Sequence, residues 1–594
     1  MAVALKPFVA WRAAKQMHEM LKRQWICSAV NAGLFLVGAG LLISGIVVLV
    51  KVFPDIVTKT VNKNKVFGLN DDGTLNDFTK TWAYPSYIST MQYWAFDYKN
   101  TIGILNRALY PDVDEKGPYA YDETILNSQI KFVDNGEKMQ FAQATQYVFN
   151  PAKSCPTCDP KKDTVTIPDI SFFVCSSCFE LFEFYLFSFE CSKLGMAQID
   201  AFVEKILGNQ QLEGVCQLLL KDKCPKLAEI FEREIGSFMD LFKTGPFVTV
   251  TVDQLIFSGY VSPLVSQLAD RLIKISNKLI GTDIPLVNGT AFTVALNTEN
   301  GTTDTLYTVL TGKTDYSRAG YTISFTSLHN ESLSSNGDKL PSQWYAFSIN
   351  IIIFTIILKH DIHGDIFKSF IKQNESLPLY ISDVCRSATL KYEKKVTVQG
   401  ITGYRYILPA EEFDYSISDN CGFCNPNTLS KYGAYDLPVN STCLPSGLLD
   451  ISGCQNSPVI ISKPHFYQAS NIVRSFVPRF KPTYDNDETT LDIEPTTGTV
   501  LAANKRLQIN MLLNQFSTIG EYSVLRPGAY PLIWLNESFI MDSGTRDDLN
   551  SSLFKPKNIV KIICWCAIGV GITASSDLVE ETYCRIAVDI ISNI

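Results

Sequence analysis

From Trp25 to Val50 the chain runs for 26 residues without a charged side chain, and the run includes GLFLVGAGLLISGIVVLV. A helix rises 1.5 Å per residue, so about 20 apolar residues cross a hydrocarbon core of about 30 Å. The run predicts a transmembrane helix over residues 25–50. It is too long for a signal-peptide core, and no small-residue cleavage site follows Val50, so it reads as an uncleaved signal-anchor. Residues 53–150 alternate short aromatic runs with Gly, Pro and Asn punctuation, which predicts strands. Over residues 171–280 the period changes. Leu227, Ile230, Phe231, Phe238, Leu241 and Phe242 recur at helical spacing, and Ser262-Pro263 opens a second helix whose apolar stripe is Leu264, Leu268, Leu272, Ile275 and Leu279. After residue 285 strand-like alternation returns. The pattern predicts a helical insert at 171–280 inside a β-rich domain spanning 51–558. A second apolar run, Ile562–Ser576, has 15 charge-free residues. The run follows Lys555, Lys557 and Lys561, and it predicts a weak second span over 559–576, which takes in Lys561, followed by an acidic, atypical cytoplasmic tail at 577–594.

Charge and cysteine usage orient this layout. Of 594 residues 19% are charged and the net charge is −8, which argues against nucleic acid as a partner. Lys6, Arg12, Lys15, Lys22 and Arg23 precede the first apolar run against one acid, Glu19. That bias places residues 1–24 in the cytoplasm. Everything beyond the helix is then extracytoplasmic. Seven N-x-S/T sequons agree, at Asn288, Asn300, Asn330, Asn374, Asn440, Asn536 and Asn550, and none lies before the first span. Twelve of the sixteen cysteines fall between Cys155 and Cys454. Cys155-Pro-Thr-Cys158 and Cys175-Ser-Ser-Cys178 match the spacing of a four-cysteine zinc ribbon, but an oxidising compartment favours disulfides. Pairing among Cys155, Cys158, Cys175, Cys178, Cys191, Cys216, Cys224 and Cys421 stays open.

Enzyme signatures are missing. There is no G-x-S-x-G, no H-E-x-x-H and no Walker loop. His360 and His363 have the spacing of a metal pair but no companion ligands, and a polar turn is the simpler reading. Asp71-Asp72-Gly73-Thr74 reads as a turn. We expect no catalysis, no metal and no cofactor.

Several motifs carry a resemblance. Trp94-Ala95-Phe96-Asp97, Gly117-Pro118-Tyr119-Ala120-Tyr121, Asp383-Val384-Cys385-Arg386-Ser387 and Gly403-Tyr404-Arg405-Tyr406 come first. Pro464-His465-Phe466, Leu491-Asp492-Ile493-Glu494-Pro495, Arg506-Leu507-Gln508-Ile509-Asn510 and Ile533-Trp534-Leu535-Asn536-Glu537 follow. In this order they resemble the class B scavenger receptor family. The resemblance implies an α+β membrane glycoprotein, with two spans and a lumenal antiparallel β-barrel-like core that carries a membrane-distal helical bundle. It also implies binding of lipid or lipoprotein at that apex, an apolar tunnel toward the bilayer, and residence in the plasma membrane or, alternatively, the lysosomal or endosomal membrane. By motif match Cys385 pairs with Cys454 and Cys424 with Cys443. Cys421 lacks its upstream partner, so it is free or joined to an apex cysteine. The apex cysteines are expected to staple an enlarged bundle.

Within the insert, Arg271, Lys274 and Lys278 are the candidates for contact with an anionic ligand, set against an ordinary solvated helix face. A receptor that sorts a lumenal enzyme is the alternative function, and a two-span ecto-hydrolase is a more remote one. Trp344–His360 is an extra apolar run that the family pattern does not call for, and we read it as a segment without function.

Overall fold

The computed structural model describes residues 5–85, 88–170, 247–261, 293–297, 300–301, 305–327, 332–334, 367–381, 386–418, 420, 424, 443–451, 459–513, 525–574 and 586. The chain divides into two units, residues 1–64 with 542–594, and residues 65–541.

The first unit is helical. Helix α1 (Leu5–Val47) runs through a π-helical turn at Val48–Val52 into α2 (Phe53–Lys63). Pro54 follows the π-helical turn inside this continuous helix and supplies no N–H to its hydrogen-bond ladder. From the other end of the chain come α4 (Ser543–Leu549), a π-helical turn at Asn550–Phe554, and α5 (Lys555–Ala574); the label α3 belongs to Asp77–Ala83 of the second unit. Asp542 caps α4 by accepting from the Thr545 N–H at 3.0 Å. Both helical stretches are long and apolar enough to cross a membrane.

The second stretch carries the apolar run from Ile562 as far as Ala574. Its apolar run is short, but α5 has 20 residues, about 30 Å of helix. Lys555, Lys557 and Lys561 are good helix formers, so the helix continues past the apolar boundary. It also packs on α1. A Cβ on Gly45 would lie 2.9 Å from Ile568 Cγ1 and 3.2 Å from the Cys564 carbonyl, and one on Gly571 would lie 2.7 Å from the Gly38 carbonyl. Contacts move down α1 as they move up α5, so the two helices are antiparallel. Glycine at the crossing lets the backbones meet, as in membrane helix pairs.

The second unit is built on one antiparallel sheet of 14 strands. They are β1 (Ser89–Tyr98), β2 (Val113–Val133), β3 (Lys138–Phe149), β4 (Thr305–Leu310), β5 (Thr322–Ser327), β6 (Ser332–Ser334), β7 (Leu377–Ile381), β8 (Arg386–Val398), β9 (Ile401–Ile407), β10 (Leu449–Asp450), β11 (Val459–Ser462), β12 (Thr490–Glu494), β13 (Thr499–Leu513) and β14 (Gly528–Ile540). The order is β6-β5-β4-β3-β2-β1-β14-β13-β12-β9-β8-β7, with β11 also on β13 and β10 on β11. The sheet forms as the alternation predicted, but among the described residues no pairing joins β6 to β7, so a closed barrel is not seen. Strand β13 is long enough to need two partners along one side. Residues 499–504 pair with β12, and residues 508–511 with β11.

Turn chemistry sets the registers. Gln399 and Gly400 (φ 46° and 85°) close the two-residue β8–β9 hairpin, in which Val398 faces Ile401. Asp72 makes the turn read from Asp71–Thr74: its Oδ1 accepts the Thr74 N–H at 2.9 Å, and Gly73 takes φ 83°.

Most of the insert predicted at 171–280 lies outside the described residues. The chain leaves the sheet through Thr164–Pro168 and returns antiparallel through Phe247–Thr251, with Pro168 opposite Phe247. It leaves again at Val261, which faces Thr293. Between the two departures Val252, Leu255 and Ile256 are fully buried in the main core. Within the predicted insert at 171–280, residues 247–261 are therefore strand and core, and residues 171–246 and 262–292 lie outside the described residues. The helical pattern read over 227–242 and 264–279 lies outside the described residues. So do His360, His363 and Trp344–His360.

Candidate functional site

The core residues of the second unit are apolar, but one band crossing the sheet is polar and charged. Lys463 follows β11, and Glu488 precedes β12. Their side chains are 1% and 0% exposed and meet at 2.6 Å. An ammonium has three protons to satisfy. Lys463 Nζ donates to Glu488 Oε1, the Leu408 carbonyl and Gln468 Oε1, each at 2.6 Å. Burial pushes the Lys463 pKa down and that of Glu488 up, and the pair's mutual attraction opposes both shifts.

Two residues on, His465 takes a left-handed φ of 52°. This backbone turn aims the imidazole between two carboxylates. Nδ1 donates to Asp487 Oδ1 at 2.6 Å and Nε2 to Glu115 Oε2 at 2.8 Å. Burial alone would lower its pKa, but the two carboxylates outweigh that and hold it up at about 9. The ring meets Phe96, Phe480 and Trp534 edge-on. Its backbone N–H donates to Gln508 on β13, and Gln508 donates onward to Asn510. Arg405 of β9 grips Asp492 of β12 through two bonds of 2.7 Å. Trp94 and Trp534, directly opposite on β1 and β14, stack at 3.8 Å. Gly117 is required beside them, since a Cβ there would fall 2.6 Å from the Tyr93 carbonyl and 2.8 Å from the Trp94 ring.

A second polar row occupies the other end of these strands. Ser89 Oγ donates to Glu123 Oε2 at 2.7 Å, and Lys505 pairs with Glu537 at 3.2 Å. The register brings Glu123 opposite Ser89, and Glu537 opposite both Met91 and Lys505. Burial first, and the Glu537 charge second, push Glu123 up to about 8. Lys65, at the entry to this unit, donates to the Phe367 carbonyl at 2.7 Å, and burial lowers it to about 7 against the pull of Glu494.

These groups lock strands together and do not form a catalytic set. Both ring nitrogens of His465 are committed to carboxylates. Among the described residues no three His, Cys, Asp or Glu side chains converge as a metal site. Cys155 and Cys158 are joined to each other, so as a disulfide they offer no thiolates to zinc. The pairing is local and reaches no other part of the chain, so this pair does not staple a bundle.

The predicted site residues divide sharply. Cys424 and Cys443 are bridged with Cα atoms 5.2 Å apart. Cys385, Cys454, Cys421, Arg271, Lys274, Lys278, Asn288, Asn330 and Asn440 lie outside the described residues. Asn300 and Asn374 are exposed, and Asn300 holds the Tyr147 backbone from both sides. Asn550 is half-buried in the first unit. Asn536 is different. It sits on β14 at 7% exposure and donates to Gln92, so its sequon is inaccessible in the folded sheet. The charged pairs were missed by sequence reading. Their only trace was that Arg405, His465 and Asp492 fall inside recognisable motifs.

Comparison with known proteins follows this geometry. The CD36 family model matches residues 36–576. The uncharacterized protein C03F11.3 of Caenorhabditis elegans is 49% identical over 578 residues, covering 95% of this chain and 98% of that protein. Lysosome membrane protein 2 of Homo sapiens is 29% identical over 515 residues, covering 86% and 87%. Scavenger receptor class B member 1 of Sus scrofa is 25% identical over 546 residues, covering 91% and 87%.

Proposed function

The chain belongs to the CD36 family, and from that membership we propose that it is a membrane receptor for lipid or lipoprotein ligands that takes lipid at the predicted helical apex and passes it through an apolar tunnel to the bilayer. The observation that carries this reading is the family match over residues 36–576, which takes in the whole sheet and the second apolar helix. The antiparallel packing of α1 and α5 supports a hairpin anchor, with both chain ends on one side of the membrane. The basic residues before Trp25 make that side the cytoplasm. The ligand end is assigned to the predicted helical apex within residues 171–280, with Arg271, Lys274 and Lys278 contacting anionic headgroups. Residence at the plasma membrane is the primary assignment, and the lysosomal or endosomal membrane the alternative.

Lipid extraction from the purified full chain, followed by mass spectrometry, tests this. Stoichiometric co-purifying lipid is expected, and protein purified under native conditions that carries none would reject it. Replacing Arg271, Lys274 and Lys278 by Glu should weaken binding to anionic vesicles about 10-fold or more. A second reading, a receptor that sorts a lumenal protein, is favoured by the 29% identity to lysosome membrane protein 2. Surface biotinylation separates the two: a chain found only in lysosomes favours sorting.

A further inference from the structure

Cys155 and Cys158 are bridged across only three positions, with Cα atoms 5.2 Å apart, whereas the Cys424–Cys443 bridge spans 19. A crosslink acts mainly by restricting the unfolded chain, and a four-residue ring restricts it least. The turn that carries Cys155 and Cys158 is also held without sulfur. The Cys155 N–H donates to the Pro118 carbonyl at 2.9 Å and the Cys158 N–H to the Cys155 carbonyl at 3.0 Å. Ser154 Oγ donates to the Asn150 carbonyl and accepts from the Ala120 N–H. Opening the S–S bond therefore leaves the backbone bonds of this turn in place.

The two sulfurs differ in surroundings. Cys158 packs against the main core, while Cys155 Sγ has Thr157 Oγ1 at 3.9 Å in an exposed contact. Pro156 and Thr157 between them are exposed. A thiolate attacks a disulfide sulfur in line with the S–S bond. Both cysteines are half-buried, and the core packing around Cys158 makes Cys155 the sulfur expected to take the incoming thiolate. Lys153 and Lys162 beside the pair are held by Asp122 and Asp159, each at 2.7 Å, so access and packing, rather than charge, set the two sulfurs apart.

We propose that Cys155–Cys158 is a thiol–disulfide exchange site whose substrates are low-molecular-weight thiols. A thiolate bonds to Cys155 Sγ, and the Cys155–Cys158 bond breaks with its electron pair passing to Cys158, which takes a proton from solvent. A second thiolate attacks the outer sulfur of the mixed disulfide and releases the oxidised thiol and the Cys155 thiolate, which is protonated in turn. Two thiols are oxidised to one disulfide, and the protein gains two electrons and two protons.

Glutathione is the probe. The full chain in detergent is equilibrated over a series of reduced-to-oxidised glutathione ratios, quenched in acid, alkylated and mapped by mass spectrometry. Cys155 and Cys158 should be half-reduced at a glutathione poise at least about tenfold less reducing than Cys424 and Cys443. Glutathione adducts should appear on Cys155, and the thermal midpoint should hold through the reduction. Cys158→Ser should trap the adduct on Cys155, and Cys155→Ser should trap little. Reduction in step with Cys424–Cys443, a fall in midpoint on reduction, or adducts chiefly on Cys158 would overturn the proposal. The titration of the unaltered chain decides the matter even where a variant fails to fold.

Discussion

Replacing Lys463 by Met removes the ammonium and leaves its three acceptors behind. The Leu408 carbonyl and Gln468 Oε1 lose their donor, and Glu488, fully buried, keeps only the Thr489 N–H at 3.1 Å. Stripping one partner from a buried ion pair costs about 3–5 kcal/mol. The variant can lower that cost by protonating Glu488, whose pKa is already raised by burial. A carboxyl with a raised folded pKa binds its proton more tightly folded than unfolded. Its deficit is therefore smallest below the unfolded value near 4.5 and grows as pH rises above it. Urea unfolding of the purified full chain, followed by intrinsic fluorescence at pH 5 and pH 7, should show the larger loss at pH 7. Adding Glu488→Leu removes the stranded charge and should recover most of the loss, since apolar replacements of buried pairs are often near neutral. A single variant that loses less than about 1 kcal/mol at pH 7, or a double variant no better than the single, would refute the claim that this pair is a desolvated lock.

Three further outcomes follow from the same geometry. His465 titrates at about 9 when folded against an ordinary 6.5, so its contribution to stability is complete below about pH 6.5 and is lost as pH rises through 9; His465→Gln should flatten the thermal midpoint across that window. Gly571→Val places carbon against the Gly38 carbonyl and Leu42, an overpacking cost of about 1–3 kcal/mol, and disulfide crosslinking between cysteines engineered into α1 and α5 should fall. Glycopeptide mapping should find Asn374 occupied and Asn536 bare, because Asn536 is already buried and bonded in β14.

Local regularities were legible in the sequence and long-range partners were not. The charge-free run at Trp25–Val50, the strand alternation, and the Asp72–Thr74 turn are each set by neighbours within a few residues, and each reads directly from the chain. The helix α5 begins before its apolar run, at Lys555, because lysines are helix formers, a feature that hydropathy does not register. The core residues Val252, Leu255 and Ile256 form too short an apolar stretch to stand out as core in the sequence. The polar band left no periodic signal. Lys463 and Glu488 stand 25 residues apart and His465 and Glu115 stand 350 apart. A buried charge becomes intelligible only when its partner is in place, since alone it reads as a surface residue.

The motifs that carried the resemblance acquire a physical meaning from the sheet. Arg405 binds Asp492, Trp94 stacks on Trp534, Gly117 makes room for that stack, and His465 ties β2 to the turn before β12. Each joins segments distant in sequence through geometry that few substitutions preserve. These motifs therefore report the scaffold, and a family match built on them is strongest where the sheet is. Ligand choice depends on side chains at particular sites rather than on the scaffold that holds them. If the proposed ligand end lies within residues 171–280, exchanging residues 171–246 and 262–292 with those of a relative should transfer ligand preference while the sheet, with its Lys463–Glu488 and Arg405–Asp492 pairs, keeps its stability.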